Sequence, residues 1–105
     1  MKKIMLFQND VTNEEDAVFH LEYSLLIRSA EVGEVYGAMI RKTVAASVAE
    51  EDFVDGLCES REEAEHFLCR LAEGLALPME LTALCDDFIF ELETEEKQIS
   101  AQEAS

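Results

Sequence analysis

The amino-acid sequence predicts an α+β fold in which a three-stranded antiparallel meander is followed by two helices packed on one face of the sheet. Two periodicities carry this prediction. Apolar residues alternate with polar ones along residues 18–28, and after residue 60 they recur every three or four positions. No long connection separates the predicted strands, so consecutive strands should pair as antiparallel neighbours. A chain of 105 residues is long enough for one modest core, which indicates a single domain.

The three predicted strands occupy the stretches VFHLEYSLLIR, VYGAMIRKTVA and SVAEEDFVDGLC. The apolar face of the first strand comprises Phe19, Leu21, Tyr23, Leu25 and Ile27. Gly33 lies in the break between the first two strands, where a tight connection favours a residue that can take a positive φ. The third stretch is more acidic, which is typical of an edge strand guarded against aggregation.

Signals for two helices follow. Ser60 precedes Glu63 by three residues, the spacing of a capping box. One face of the first helix comprises Ala64, Phe67, Leu68, Leu71 and Leu75. Gly74 is predicted to end this helix in the left-handed conformation, and Pro78 suits the first turn of the second helix.

The sequence divides into three segments. Residues 1–16 include the polar run QNDVTNEED and are predicted to form an N-terminal arm or a short strand. Residues 17–93 form the single α+β domain. Residues 94–105 are predicted to be an acidic C-terminal tail.

The charge balance restricts the possible partners. Acidic residues outnumber basic ones by 24 to 8, which gives a net charge of −16. Such a surface repels phosphate backbones and anionic lipids, so we expect neither a nucleic-acid partner nor a membrane partner. No stretch reaches the ~18 consecutive apolar residues that a membrane-spanning helix needs.

The N-terminal composition and the cysteines predict a cytoplasmic location. The stretch MKKIMLFQND contains four consecutive apolar residues, whereas the core of a signal peptide needs about 7–15. The chain has 3 cysteines, and an odd number without an export signal is typical of reduced thiols in the cytoplasm.

The stretch LPMELTALCDDFIFELE, residues 77–93, contains the candidate functional surface. On a helix of roughly 100° per residue, Cys85 and Phe88 share the buried face. Phe90 lies about 200° from Phe88, on the side shared by Met79 and Ala83. Either a terminal segment folds over this side, or it pairs with another chain. We take Met79, Ala83 and Phe90 as a candidate interaction surface.

Catalytic and metal-binding patterns are weak. The residues suited to zinc are Cys58, His66, Cys69 and Cys85, but no CxxC or HxxxH pair is present, so we predict no metal and no cofactor. No nucleophile, P-loop or dinucleotide motif occurs, so we assign no catalytic residue and predict that the protein is not an enzyme. His20, Glu22 and Arg28, on the polar strand face, are the first residues to mutate if an activity is found.

Three sequence stretches carry a resemblance to a known family. LEYSLLIR is followed by VYGAMIRK and then by FVDGLCESREEAEHFLCRLAEGLALPMELTALCDDFI. This pattern resembles an uncharacterised family of short cytoplasmic proteins from Gram-positive anaerobic bacteria and covers residues 18–92. The resemblance implies a small bacterial α+β protein and no particular activity, substrate or site.

These observations predict a small acidic module that acts through protein contacts, as a homo-oligomer or as a regulatory partner. The alternative is a small-molecule-binding protein or an enzyme that uses a cleft between the sheet and the helices.

Overall fold

A computed structural model of the chain describes residues 1–12, 15, 17–31 and 33–104, with the side chains described as far as residue 93. Four strands come first: β1 (Lys2–Thr12), β2 (Val18–Ala30), β3 (Gly33–Val44) and β4 (Ser47–Cys58). Two helices follow, α1 (Arg61–Glu73) and α2 (Leu81–Ala104), with a 3₁₀ turn at Pro78–Glu80 leading into α2. Helix α2 therefore continues through most of the predicted acidic tail, whose residue 105 lies outside the described part.

The described strands form one antiparallel sheet in the order β1-β2-β3-β4. The fold is α+β, but the prediction of three strands is wrong. β1 pairs with β2 from Lys2 opposite Ile27 to Thr12 opposite Val18. Most of the segment expected to be an arm or a short strand is therefore an edge strand of 11 residues, whereas positions 13, 14 and 16 of that segment lie outside the description.

A β-bulge explains why the sequence pattern of β1 is misleading. The register shifts between Met5 and Phe7, so that Leu6 and Phe7 both pack against the core. The extra residue interrupts the period of two on which strand prediction rests. Beyond the bulge, Asn9 and Val11 are half-buried while Gln8, Asp10 and Thr12 are exposed, so this half of the strand resembles a polar loop in the sequence.

Both helices pack on the same face of the sheet. α1 contacts all four strands, and α2 contacts β4. The rings of Phe67 and Phe88 stack with their centroids 4.5 Å apart and join the two helices. The residues of the core that come from the strands are Leu21, Tyr23, Leu25, Ile27, Ala38, Ile40 and Leu57. This apolar burial is the main source of the stability of the fold.

Two hydrogen bonds connect the sheet to the last turn of α1 and to the segment that follows it. The buried hydroxyl of Tyr23 donates to the carbonyl oxygen of Ala76 at 2.9 Å. The side-chain amide of Asn9 donates to the carbonyl oxygen of Ala72 at 3.1 Å. Burial, assisted by the charge of Glu80, raises the pKa of Tyr23 to about 12. Tyr23 therefore remains a neutral hydrogen-bond donor at physiological pH.

The ends of α1 differ in how well the sequence predicts them. Ser60 caps the N-terminus, and its Oγ accepts a hydrogen bond from the backbone N–H of Glu63 at 3.3 Å. At the C-terminus, the predicted left-handed conformation of Gly74 is wrong, because its φ is −87°. Leu75 takes the left-handed conformation instead, with a φ of 53°. The N–H groups of Leu75 and Ala76 donate to the carbonyl oxygens of Ala72 and Leu71, so the helix ends in a Schellman motif with Leu75 at the left-handed position.

A two-residue turn joins β3 to β4. Ala45 and Ala46 have φ values of 52° and 66°, and the flanking residues Val44 and Ser47 are register partners. Such turns favour Asn-Gly, because both central residues have positive φ. The local sequence therefore does not specify this turn, which is imposed by the pairing of the two strands.

Candidate interaction surface on the open face of the sheet

The strand register separates the side chains that face the helices from those on the opposite side, which we call the open face. On β2, Leu25 points toward the helices, and the alternation of a strand therefore places Ser24 and Leu26 on the open face. The register extends this assignment to the other strands. In the part of the chain that the structure describes, both helices pack on the other face.

A central row of side chains crosses the open face. Met5 pairs with Ser24, Ser24 with Met39, and Met39 with Phe53, so the row includes one residue from each strand. Met5 is 48% exposed and Phe53 is 53% exposed, although both are large and apolar. Beside the row, Leu26 is buried. The middle of the open face is therefore an apolar surface with exposed ends at the two edge strands.

Five charged or ionisable side chains form a network on one side of the central row. His20 Nδ1 lies 2.7 Å from Asp10 Oδ1, and His20 Nε2 lies 3.7 Å from Glu22 Oε1. Arg41 Nη1 lies 3.8 Å from Glu22 Oε2, and Arg41 Nε donates to Glu51 Oε2 at 2.7 Å. The network crosses all four strands. Because its members are partly exposed, each pair should contribute no more than about 1 kcal/mol to stability.

A second ion pair lies on the other side of the central row. Arg28 Nε donates to Asp55 Oδ2 at 2.8 Å, while Asp55 Oδ1 is buried without a hydrogen-bond partner among the described residues. A bulge in β4 brings its backbone over Gly37, where a Cβ would collide with the carbonyl oxygen of Val54. Glycine at position 37 is therefore required by this close approach. Lys3 lies at the same end of the face, on β1.

The open face is nearly neutral, although the chain carries a net charge of −16. The register assigns three basic and four acidic side chains to it: Lys3, Arg28, Arg41, Asp10, Glu22, Glu51 and Asp55. Most of the excess negative charge therefore lies on the rest of the molecule, and the open face can approach an acidic protein with the least repulsion.

The structure places the predicted surface of Met79, Ala83 and Phe90 on the helical side of the molecule. Met79 lies in the 3₁₀ turn and is 73% exposed, and Phe90 lies on α2 and is 68% exposed. Ala83 is also exposed. The sequence analysis missed the central row of the open face. Phe53 alternates with its neighbours on β4, but the row also needs Met5, which joins it only through the pairing of β1 with β2.

A groove of about 300 Å³ lies between the two helices. The residues that line its apolar part include Phe67, Leu71, Leu84 and Phe88. Arg70 Nη1 lies 3.2 Å from Glu91 Oε2 at its rim, where Glu80 and Asp87 add negative charge. A more open cleft of about 460 Å³ lies between β1 and α1. Small-molecule binding, the alternative function, would use a space of this kind.

The cysteines do not form a site. All three are free thiols, and Cys85 is 2% exposed in the core. Burial, with a smaller contribution from Asp86 and Asp52, raises the pKa of Cys85 to about 12, so the thiol is protonated and unreactive. Within the described ranges, no group of three or more His, Cys, Asp or Glu side chains is arranged so that it could hold a metal ion.

The described residues thus form an α+β fold with a four-stranded antiparallel meander and two helices on one face of it. The chain belongs to a family of unknown function, DUF6514, whose model matches residues 2–91. The match includes β1, and so begins earlier than the resemblance over residues 18–92 suggested. No curated protein and no solved structure matches the chain. In the described residues, no helix is long and apolar enough to span a membrane.

Proposed function

We propose that this protein is a small interaction module that binds another protein chain through the open face of its sheet. The observation that carries the proposal is the central row, in which Met5 and Phe53 remain about half exposed. These two side chains are at the ends of the row with half-buried Met39 between them, and exposed apolar side chains framed by polar ones are typical of protein-binding surfaces. The ion pairs on either side of the row supply such a frame.

The charge distribution favours a protein as the partner. A net charge of −16 disfavours nucleic acid and anionic membranes. The near-neutral open face, by contrast, can meet an apolar protein surface without placing large charges of one sign together. Free thiols and the resemblance to short proteins of Gram-positive anaerobes support a bacterial, cytoplasmic setting for this interaction.

The proposal includes no catalytic step, metal or cofactor. His20 lies between two carboxylates, those of Asp10 and Glu22, but this cluster is on the face of the sheet rather than in a cavity. A catalytic acid or base needs a substrate held within hydrogen-bond reach, and sites that hold small substrates are concave. The cluster is better suited to framing a contact surface.

Site-specific photocrosslinking in the cell of origin tests the proposed function. A photoreactive residue at position 53 should form a covalent adduct with a defined protein. The same residue at position 62, an exposed position in α1, should not. The absence of adducts from position 53, or identical adducts from both positions, would contradict the proposal.

We also propose Met79, Ala83 and Phe90 as a second contact surface. Met79 and Phe90 are large, apolar and exposed, and exposed acidic residues adjoin them, including Asp86. A partner at this surface should therefore be basic. A Phe90→Glu variant should lower the mass of the assembly in which the protein occurs or change its stability. If neither quantity changes, this surface has no such role.

The groove between the helices carries the alternative function. Its stacked pair Phe67 and Phe88 offers an apolar wall, and the acidic rim favours a small cation with an apolar part. Native mass spectrometry of protein purified without additives measures assembly and bound mass together. A monomer with a bound small molecule would support this alternative over the interaction module.

A further inference from the structure

We propose that the partner on the open face is a second copy of this chain, packed sheet against sheet about a two-fold axis that runs parallel to the strands. This inference rests on the proposed function and specifies the partner and its orientation. The area of the face, its charge balance and the order of its side chains across the strands each support it.

The area of the open face matches that of a stable dimer interface. Four strands of 11, 13, 12 and 12 residues form the sheet. With strands about 4.8 Å apart and about 3.3 Å per residue, the face measures roughly 19 Å by 40 Å, or roughly 760 Å². A standard protein interface buries about 800 Å² on each partner.

The charge balance favours self-association on this face over any other. Two copies that each carry a net charge of −16 repel each other wherever acidic surfaces meet. The open face, with three basic and four acidic side chains, brings a second copy close with little repulsion. The surface around Met79 and Phe90 lacks this balance, because acidic residues adjoin it.

The order of the side chains specifies the axis. A two-fold axis parallel to the strands places β1 of one copy opposite β4 of the other, and β2 opposite β3, while each cross-strand row faces itself. Met5 then faces Phe53 of the second copy. In the next row, Glu22 faces Arg41. Apolar ends therefore meet apolar ends, and a carboxylate meets a guanidinium.

A two-fold axis perpendicular to the strands gives poorer contacts. It places Met5 opposite Met5 and Phe53 opposite Phe53, because each strand then faces its own copy. The rows on either side of the central row would exchange places. Glu22 would meet the apolar Leu26, and Glu51 would approach Asp55. A carboxylate against apolar surface and a pair of like charges are both unfavourable.

The twist of the sheets leaves the parallel-axis and perpendicular-axis dimers distinguishable. Packed sheets cross at about 30°, which displaces side chains on the edge strands by about 4 Å relative to a perfect overlay. In the parallel-axis dimer, Met5 and Phe53 of the two copies remain about 10 Å apart, the spacing of packed sheets. Two copies of Met5 would lie roughly 17 Å apart, because they lie at opposite edges of the interface.

Thiol crosslinking on the full-length chain tests the orientation. Met5→Cys, Phe53→Cys and the double variant are made with Cys58→Ser and Cys69→Ser, which leaves Cys85 as the one native thiol, buried in the core. A crosslinker that reaches about 10 Å should give a covalent dimer with the double variant and little with either single variant. Efficient dimers from both single variants would contradict the parallel axis.

Sedimentation of the unmodified protein tests the assembly itself. We expect a concentration-dependent dimer whose dissociation constant rises at least about 30-fold in Phe53→Glu, because the substitution places a carboxylate against Met5 of the second copy. Leu75→Glu, which adds the same charge at an exposed apolar position on the helical side, outside both proposed contact surfaces, is the matched control and should change the constant less than about threefold.

Different results contradict the proposed interaction module and the proposed dimer. A protein that stays monomeric at every concentration contradicts the dimer. If position 53 then crosslinks to a different protein in cells, the interaction module stands and the second copy does not. If the protein is monomeric and position 53 forms no adducts, both proposals fail.

Discussion

The two faces of the sheet are built from the same four strands, yet they differ in what they contribute. Leu25, on the helix-covered face, is completely buried. On the open face, Phe53 is 53% exposed and the neighbouring charged side chains pair with one another across the strands. Burial against the helices stabilises the fold, whereas the open face leaves Met5 and Phe53 about half exposed. This difference supports a binding role for the open face.

A pair of truncations gives the largest expected difference between the faces. Leu25→Ala should lower the free energy of unfolding by about 2–5 kcal/mol, because it leaves a cavity in the core. Phe53→Ala should lower it by less than about 1 kcal/mol, measured by urea denaturation at low protein concentration, where dimers are absent. Similar losses in the two variants would show that the open face is also part of the core.

Alkaline pH should destabilise the covered face. Burial raises the pKa of Cys85 from 9.0 to about 12 and that of Tyr23 from 10.0 to about 12. The unfolded chain therefore releases these protons first, so stability is complete below about pH 9 and falls as the pH rises toward 12. The loss should be on the order of 3 kcal/mol for either group. Urea midpoints against pH measure it, and Cys85→Ala should flatten the curve.

The buried tyrosine and a more exposed one provide a third comparison. Tyr23→Phe leaves the carbonyl oxygen of Ala76 without its donor, so the free energy of unfolding should fall by about 1–3 kcal/mol. Tyr36→Phe removes an exposed hydrogen bond to Glu34 and should change stability little. Thermal unfolding of both variants measures the difference. Equal effects would contradict the role given to the Tyr23 hydroxyl.

The smallest effect is expected in the charge network. Arg41→Gln removes the ion pairs to Glu22 and Glu51, and the free energy of unfolding should fall by less than about 1 kcal/mol because these groups are partly exposed. In the proposed dimer the same substitution removes the group that faces Glu22 of the second copy. Dimer affinity should therefore fall more than stability does, and the reverse result would assign the network to folding alone.

The elements that the sequence predicts well are those that depend on residues close together in the chain. The cap at Ser60 needs only a hydroxyl and a backbone N–H three residues away, so the sequence spacing was sufficient. β2 alternates without a bulge and was recognised from its period. Strand β1 contains a bulge at Leu6, and its polar half is defined by the strand beside it, so its pairing was not predictable from its own residues.

The sequence by itself determined the α+β class, the strands β2 to β4, the start of α1 and the strongly acidic character of the chain. These depend on periodicity, on a short-range hydrogen bond and on composition. Only the tertiary structure decided the fourth strand, the Ala45–Ala46 turn and the row that joins Met5 to Phe53. Each of these depends on which strands lie side by side, because long-range pairing places residues together that no local pattern connects.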